Sequence, residues 1–313
     1  MEGYTALPLA PTKVRFTDAD EFRSSIGKFD MAFTPLALKI SAEQTILKLP
    51  GCDVNYMKSF PRIIDAQLQR DCTAIAFNMD DGTPVRFNGI EESMPAIVVG
   101  TGGAVYTQVE RGARSYTSII FNPSIEHRGW FASGPSWCRY VVSRTMLERL
   151  RSLVLHLFSA ASGFGDDPES VVLGGSMRES LLAAIDLAFA DIVTAPELLR
   201  QNFSPKFKIF RNAEAAIAEH YDAPIYSGDV ARQIGVSVRT LHDAILQYRG
   251  MSLHRWLRLR RLWLVRQWLL AGTPSVKAAA LAFGFWHLGD FAHNYQRQFG
   301  ESPSVTLARA RSH

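Results

Sequence analysis

The side chains best placed for recognition chemistry lie near the end of the chain. Between residues 274 and 303, Gly289, Asp290, His293, Gln296 and Arg297 recur at helical intervals, and on a helix they would share one polar face. Leu288, Phe291, Ala292, Tyr295 and Phe299 follow the i, i+3, i+4, i+7 rule and would form the apolar face. Imidazole, carboxylate, amide and guanidinium groups side by side suit hydrogen bonding to base edges and phosphates. A shorter apolar repeat, Val276, Ala279, Ala280 and Phe283, precedes them behind the N-cap candidate Ser275. Gly284 is expected to take positive φ and break the run, with a new helix starting near His287. Two helices joined this tightly predict a helix-turn-helix over 275–298, its second helix shaped for a DNA major groove. An ordinary helical hairpin buried in a core would show the same apolar pattern, so the residues upstream decide.

Those residues repeat the arrangement. Val230, Ala231 and Ile234 are expected to face inward, Gly235 to turn the chain and Ser237 to cap the next helix. That helix would bury Leu241, Ile245 and Tyr248 and offer Arg239, Thr240, His242, Asp243 and Leu246, a second unit over 227–249. A helix over 207–221 precedes it, carrying Ile209, Phe210, Ala213, Ile217 and Ala218. Between the units one long helix runs from Leu253 until Gly272 ends it. Trp256, Leu259, Leu262, Trp263, Trp268 and Leu269 are its apolar residues, surrounded by Arg255, Arg258, Arg260, Arg261 and Arg266. Residues 253–270 would span roughly 27 Å at 1.5 Å per residue. Successive major-groove faces lie ~34 Å apart, so one chain could place both polar helices in adjacent grooves.

Charge agrees with this division. Residues 205–313 carry 15 Lys/Arg against 7 Asp/Glu, a balance of +8, and residues 1–204 carry 19 against 23, a balance of −4. A basic last third beside an acidic remainder predicts a polyanionic partner for the last third alone.

Over 211–311 the chain resembles the AraC/XylS family of bacterial transcription regulators. The resemblance is carried by Val230-Ala231 and the Ser237-to-Leu241 spacing, by Leu262 and Arg266, and by Ala280, Gly284-Phe285, Phe291, Tyr295, Phe299-Gly300 and Pro303. The run FGFWHLGDFAHNYQRQFGESPSVTL is most similar to the XylS branch, whose members often respond to aromatic acids. The resemblance implies promoter DNA and RNA polymerase as partners, activation of transcription, and an N-terminal sensing and dimerisation domain of cupin type. The DNA-binding residues it implies, with the helix faces above, are Arg239, Thr240, His242, Asp243, His287, Gly289, Asp290, His293 and Arg297. Asp243 and His293 stand where the family commonly has a basic residue, Asp290 where an aromatic or basic one is frequent, and Ala279 where a larger aliphatic is usual. These departures bear on which bases are read, since an Asp accepts from cytosine N4 but repels phosphate.

The N-terminal part shows no motif that aligns. Residues 1–30 are expected to be an irregular lead-in. From 33 to 140, short runs such as TILKL, CTAIAF, PVRFNGI, AIVVG, AVYTQV and SYTSIIF alternate with turn signals, which predicts a sandwich or small barrel able to enclose a ligand. Helical periodicity starts near Thr145, where Met146, Leu147, Leu150, Leu153, Val154, Leu157 and Phe158 form a broad face. A turn-rich connection over 163–175 and a second helix opening at Ser176 complete a helical hairpin, a candidate dimer interface, and 194–205 is the expected link.

The expected fold is therefore α+β: a cupin-like sensing domain over 1–140, a helical hairpin and linker over 141–204, and an all-α DNA-binding domain over 205–313. Arginines and aromatics of the β-rich part, Arg62, Arg86, Tyr106, Arg111, Arg114 and Tyr116 with Phe60 and Phe87, are candidates for a small-molecule effector bearing a carboxylate or phosphate on a ring. No metal and no cofactor are expected. A catalytic cupin needs a His-rich metal site, whereas His127 and His156 are the only histidines before residue 205 and are not at ligand spacing. Residues 98–103, VVGTGG, lack the third spaced glycine of a phosphate loop and are expected to form a β-turn. A metal-dependent cupin enzyme is thus the weaker rival. The other is a regulator without an effector, controlled by abundance or a protein partner. The three cysteines, widely spaced and odd in number, fit a reducing cytoplasm, and no run of 18 apolar residues predicts a membrane span. A homodimer is expected.

Overall fold

Period-two alternation organises the first half of the molecule into two facing sheets. The computed structural model describes residues 9–311 apart from 38–39, 93, 126–127, 131–134, 165–167, 193–196, 199–203 and 220–225. One sheet has the order β1 (Thr12–Phe16), β3 (Ala42–Leu49), β4 (Cys52–Ser59), β11 (Arg114–Phe121), β6 (Thr73–Asn78), β9 (Ala96–Gly100), β12 (Trp137–Val141), β13 (Glu197–Leu198). The other has the order β2 (Phe29–Pro35), β5 (Arg62–Leu68), β10 (Val105–Glu110), β7 (Val85–Phe87), β8 (Ile90–Glu92). Neighbouring strands pair antiparallel, for example Arg114↔Ser59 to Phe121↔Cys52. In the eight-stranded sheet Leu47, Val54, Ile75, Val99, Ile119 and Phe121 point outward, onto α2 (Arg144–Ala161) and α3 (Pro168–Ala190). Their sequence neighbours Ala74, Val98, Tyr116 and Ser118 point inward, toward the second sheet. In the five-stranded sheet Ile64, Tyr106 and Gln108 point inward, while Ile63 and Val109 join the core of the C-terminal helices. The layers are thus α2–α3, eight strands, a cavity, five strands and the C-terminal helices.

Several expectations about this half are corrected. The lead-in is ordered from residue 9: β1 pairs with β3 and is followed by α1 (Ala19–Ser24). Only Phe16 of β1 is buried, so its sequence shows no alternation. The run PVRFNGI is a hairpin, β7 and β8, turned at Asn88 (φ 46°) and Gly89 (φ 83°). α3 begins at Pro168, not Ser176. Gly174 lies inside it and faces Leu9 and Pro50, at ordinary contact distance for a Cβ. Part of the expected link is β13, which completes the edge offered by β12. The apolar face of α2 is covered by the sheet through Leu147, Leu150, Val154 and Leu157, and that of α3 by Leu181 and Ile185. His156 is exposed, and His127 lies outside the described residues.

The C-terminal helices are α4 (Pro205–Glu219), α5 (Ser227–Gln233), α6 (Val238–Arg249), α7 (Leu253–Leu270), α8 (Val276–Ala282), α9 (Leu288–Phe299) and α10 (Pro303–Arg311). The sequence α5–α6–α7 recurs as α8–α9–α10. Gly235 (φ 70°) and Gly284 (φ 76°) turn the two pairs, and the amides after them return to Ala231 O and Ala280 O, both at 3.0 Å. Gly250 (φ 62°) and Gly300 (φ 72°) cap α6 and α9 in the left-handed region. Ser237, Ser252 and Ser275 accept from the backbone N–H three residues on, capping α6, α7 and α8. α7 is the shared core: Trp256, Leu262, Leu264, Val265 and Leu269 are all buried, on more than one face. Arg266 holds the second unit to it, paired with Glu301 at 2.7 Å and lying 4.8 Å from the Phe299 ring. Burial raises the Glu301 pKa, but hydrogen bonds from Arg309, Arg266 and Thr306 outweigh it and leave the carboxyl below its ordinary value.

Candidate functional site

The N-terminal turns of α6 and α9 are exposed. On α6, Arg239 and Thr240 are exposed beside Val238 and Leu246. The Thr240 hydroxyl is engaged locally, 2.8 Å from the Ser237 cap. His242 is half-buried, its Nδ1 3.6 Å from the exposed Asp243 carboxylate, an ion pair only when the ring is protonated. On α9, His287, Gly289, Asp290, His293 and Arg297 are exposed, with Gln296 among them. Leu288 and Ala292, expected inside, are also exposed. Phe291 and Tyr295 fill the inner face, closed by Phe285 and Phe299, and leave no room for a fourth column. Trp286, 64% exposed just ahead of α9, was not anticipated. On either side of Gly284, Phe283 is fully buried and Phe285 packs partly against the same core, while Trp286 stands outside it. Both exposed ends carry the partial positive charge of a helix N-terminus and a mixture of donors, acceptors and apolar groups.

The cavity between the sheets has a volume of about 80 Å³. Of the six effector candidates, Tyr106, Arg114 and Tyr116 line it; Arg62, Arg86 and Arg111 do not. Phe87 and Trp137 complete an aromatic wall with Tyr106, with Phe87 stacked at 5.2 Å and Trp137 edge-on at 5.1 Å. Trp137 was missed because β12 is buried along its whole length and shows no alternation. Arg114 Nη1 and Trp137 Nε1 are buried without a hydrogen-bond partner among the described residues. Burial pushes the phenols of Tyr106 and Tyr116 up, so both are neutral donors. The wall can stack a ring and donate hydrogen bonds. Among the described residues no His/Cys/Asp/Glu group could hold a metal ion, and Cys52, Cys72 and Cys138 are free and buried.

Arg62 is fully buried, paired with Glu110 at 2.9 Å and lying over the rings of Phe33, Phe22 and Phe60. Arg86 and Arg111 belong to a clasp between the five-stranded sheet and the helices. They donate to the backbone carbonyls of Gln247 and Gly250, each at 3.0 Å, and share Glu91. At the centre of the clasp stands Arg249, the last residue of α6. It makes a two-pronged ion pair with Asp65 of β5 at 2.9 and 2.8 Å, and pairs with Glu214 of α4 at 2.8 Å. The rings of Trp256 and Phe210 lie 4.5 and 4.7 Å away. Burial disfavours this charge, but Asp65 and Glu214 outweigh it and hold the guanidinium protonated. Gly89 and Gly250 leave room for the approach, since a Cβ on Gly250 would collide with Arg111. The contacts that join the sheet to the helices link residues 139 to 184 apart, beyond the reach of any local pattern. Asp65 and Thr107 grip Arg249 from one face of β5 and β10; Ile64 and Tyr106, beside them in sequence, line the cavity on the other.

No helix among the described residues is long and apolar enough to cross a membrane. A helix-turn-helix domain model matches residues 230–309. A Rhodococcus erythropolis protein, "Probable thc operon regulatory protein", is 36% identical over 102 residues, 32% of this chain and 31% of that protein. A Pseudomonas putida protein, "XylDLEGF operon transcriptional activator 2", is 31% identical over 112 residues, 35% of this chain and 71% of that protein. A solved structure of a probable AraC family transcriptional regulator from Rhodopseudomonas palustris is 37% identical, covering 33% of this chain and 97% of the other, with a TM-score of 0.30. The chain spans about a third of the length of the first curated relatives it matches. With the turns at Gly235 and Gly284 inside the matched segment, the chain belongs to the AraC/XylS family of transcription regulators.

Proposed function

We propose that this protein is a sequence-specific, DNA-binding activator of transcription. Residues 205–313 form its DNA-binding domain, with helix-turn-helix units at 227–249 and 275–298. The observation that carries this reading is the pair of exposed helix N-termini on α6 and α9, set on either side of α7 in a segment of charge +8. An 18-residue helix is roughly 27 Å long, which suits adjacent major grooves on one face of a duplex. Arg239 and His242 read the first groove, with Thr240 and Asp243 beside them; Asp290, His293 and Arg297 read the second, with His287 and Gly289. RNA polymerase is the partner that activation requires. Residues 1–140 are a cupin-like sensor, and 141–204 join it to the DNA-binding domain. A small effector sits against Tyr106, Arg114 and Tyr116 in the inter-sheet cavity and acts on α6 through β5 and β10. Two chains pair through the outer side of the hairpin, where Leu155 and Leu187 are exposed.

Footprinting of the full chain on its own promoter tests the reading. Protection over about two helical turns per chain is expected. Arg239→Ala is expected to lose about 1–3 kcal/mol of affinity and relax one base position, as for a bidentate guanine contact. Protection of a single groove per chain would remove the two-groove arrangement.

A further inference from the structure

A second opening, distinct from the inter-sheet cavity, lies between the five-stranded sheet and the C-terminal helices. It is a cleft of about 400 Å³. Its charged lining is of one sign: Arg111 after β10, Arg255 and Arg258 from the N-terminal turns of α7, and Arg297 near the end of α9. Asn294 adds an amide, and Val109 belongs to the apolar wall. No carboxylate lines the cleft. Arg111 is shared with Glu91 at 3.3 Å; among the described residues Arg255, Arg258 and Arg297 have no acidic partner. Like charges gathered in one concavity repel each other, and an anion that enters relieves the repulsion while accepting bidentate hydrogen bonds from guanidinium.

We propose that this cleft binds a small molecule carrying two or more phosphate or carboxylate groups, which bridge Arg111 on the sheet side to Arg255, Arg258 and Arg297 on the helix side. The volume is that of a small-ligand site. A duplex is too wide to enter between the sheet and α7. The cleft also lies toward the C-terminal ends of α6 and α9, at Gly250 and Gln298, whereas the exposed Arg239 and Asp290 mark their N-terminal ends. Occupancy adds a charge-assisted bridge to the clasp and so stabilises the docked arrangement of the two halves. This site is independent of the proposed effector cavity, and it shares only Arg297 with the residues proposed to read the second groove.

Isothermal titration of the full chain with pyrophosphate and with citrate, at constant ionic strength, tests the proposal, with orthophosphate as the singly branched control. The expected result is saturable binding at one site per chain, about tenfold or more tighter than orthophosphate. Preference for pyrophosphate assigns phosphate groups, and preference for citrate assigns carboxylates. Arg258→Gln, which touches no clasp contact, is expected to weaken binding about tenfold or more. Arg111→Gln is expected to do the same, and Arg111→Lys to retain part of it. Arg232→Gln, an exposed arginine on α5, is expected to change nothing. Thermal unfolding without anion shows that each variant is folded. Absence of saturable binding at millimolar anion, or binding indifferent to Arg258→Gln, overturns the proposal. So does loss of DNA affinity in Arg258→Gln without any small-anion binding, which would make these arginines contacts to the DNA backbone.

Discussion

Arg249 shows how one side chain can belong to two parts of a molecule. It ends α6, yet its charge is satisfied by Asp65 from the sheets and Glu214 from α4. Replacing it with Met leaves two carboxylates facing each other without a cation. Breaking a buried pair in this way costs about 3–5 kcal/mol, and urea denaturation of Arg249→Met is expected to show a loss of that order. Glu301 plays the corresponding part in the second unit, between Arg266 and Arg309. Its pKa is held below the ordinary 4.5, so its contribution is present above that value and is lost as pH falls through the lowered folded pKa. A Glu301→Gln variant is expected to show a flatter acid limb in a stability-versus-pH series than the parent chain.

At the level of elements, the glycine at each turn is the decisive residue. Gly235 sits at φ 70°, and a Cβ added there would meet nothing within 4 Å, so strain alone opposes a side chain. Gly235→Ala is expected to lose about 1–2 kcal/mol in thermal unfolding, and Gly235→Asn less, because Asn tolerates the left-handed region. The same residues explain what the sequence made legible. Apolar spacing, serine caps and positive-φ glycines are local signals, and α5 to α9 follow them to within a few residues. β1 was invisible because one buried residue in five makes no alternation. The α3 start was misplaced because Gly174 and Gly175 resemble a turn, whereas both lie inside the helix. Leu288 and Ala292 obey the inward rule by spacing and break it because the aromatic column of Phe291 and Tyr295 already fills the core side. Of the candidate cavity residues, Tyr106, Arg114 and Tyr116 could be singled out by type; Arg86 and Arg111 are drawn away by pairings more than a hundred residues apart, and Arg62 by Glu110.

For the whole molecule, charge and layering set the expected behaviour. With +8 on residues 205–313, DNA affinity measured by fluorescence anisotropy is expected to fall linearly in log K against log salt, by about 0.9 per phosphate neutralised. Affinity indifferent to salt would contradict a phosphate-anchored complex. The layering has a further consequence. On β5 and β10 the even-numbered Ile64, Tyr106 and Gln108 line the cavity, and the odd-numbered Ile63, Asp65, Thr107 and Val109 meet the helices. Point substitutions can therefore alter either surface while sparing the other, so a lineage could drift in what the cavity accepts without loosening the grip on α6. An inserted or deleted residue has no such freedom. It would exchange the two faces at once, placing Asp65 among the aromatics and Tyr106 against Arg249. Descent with modification in these two strands is expected to proceed by replacement at constant length.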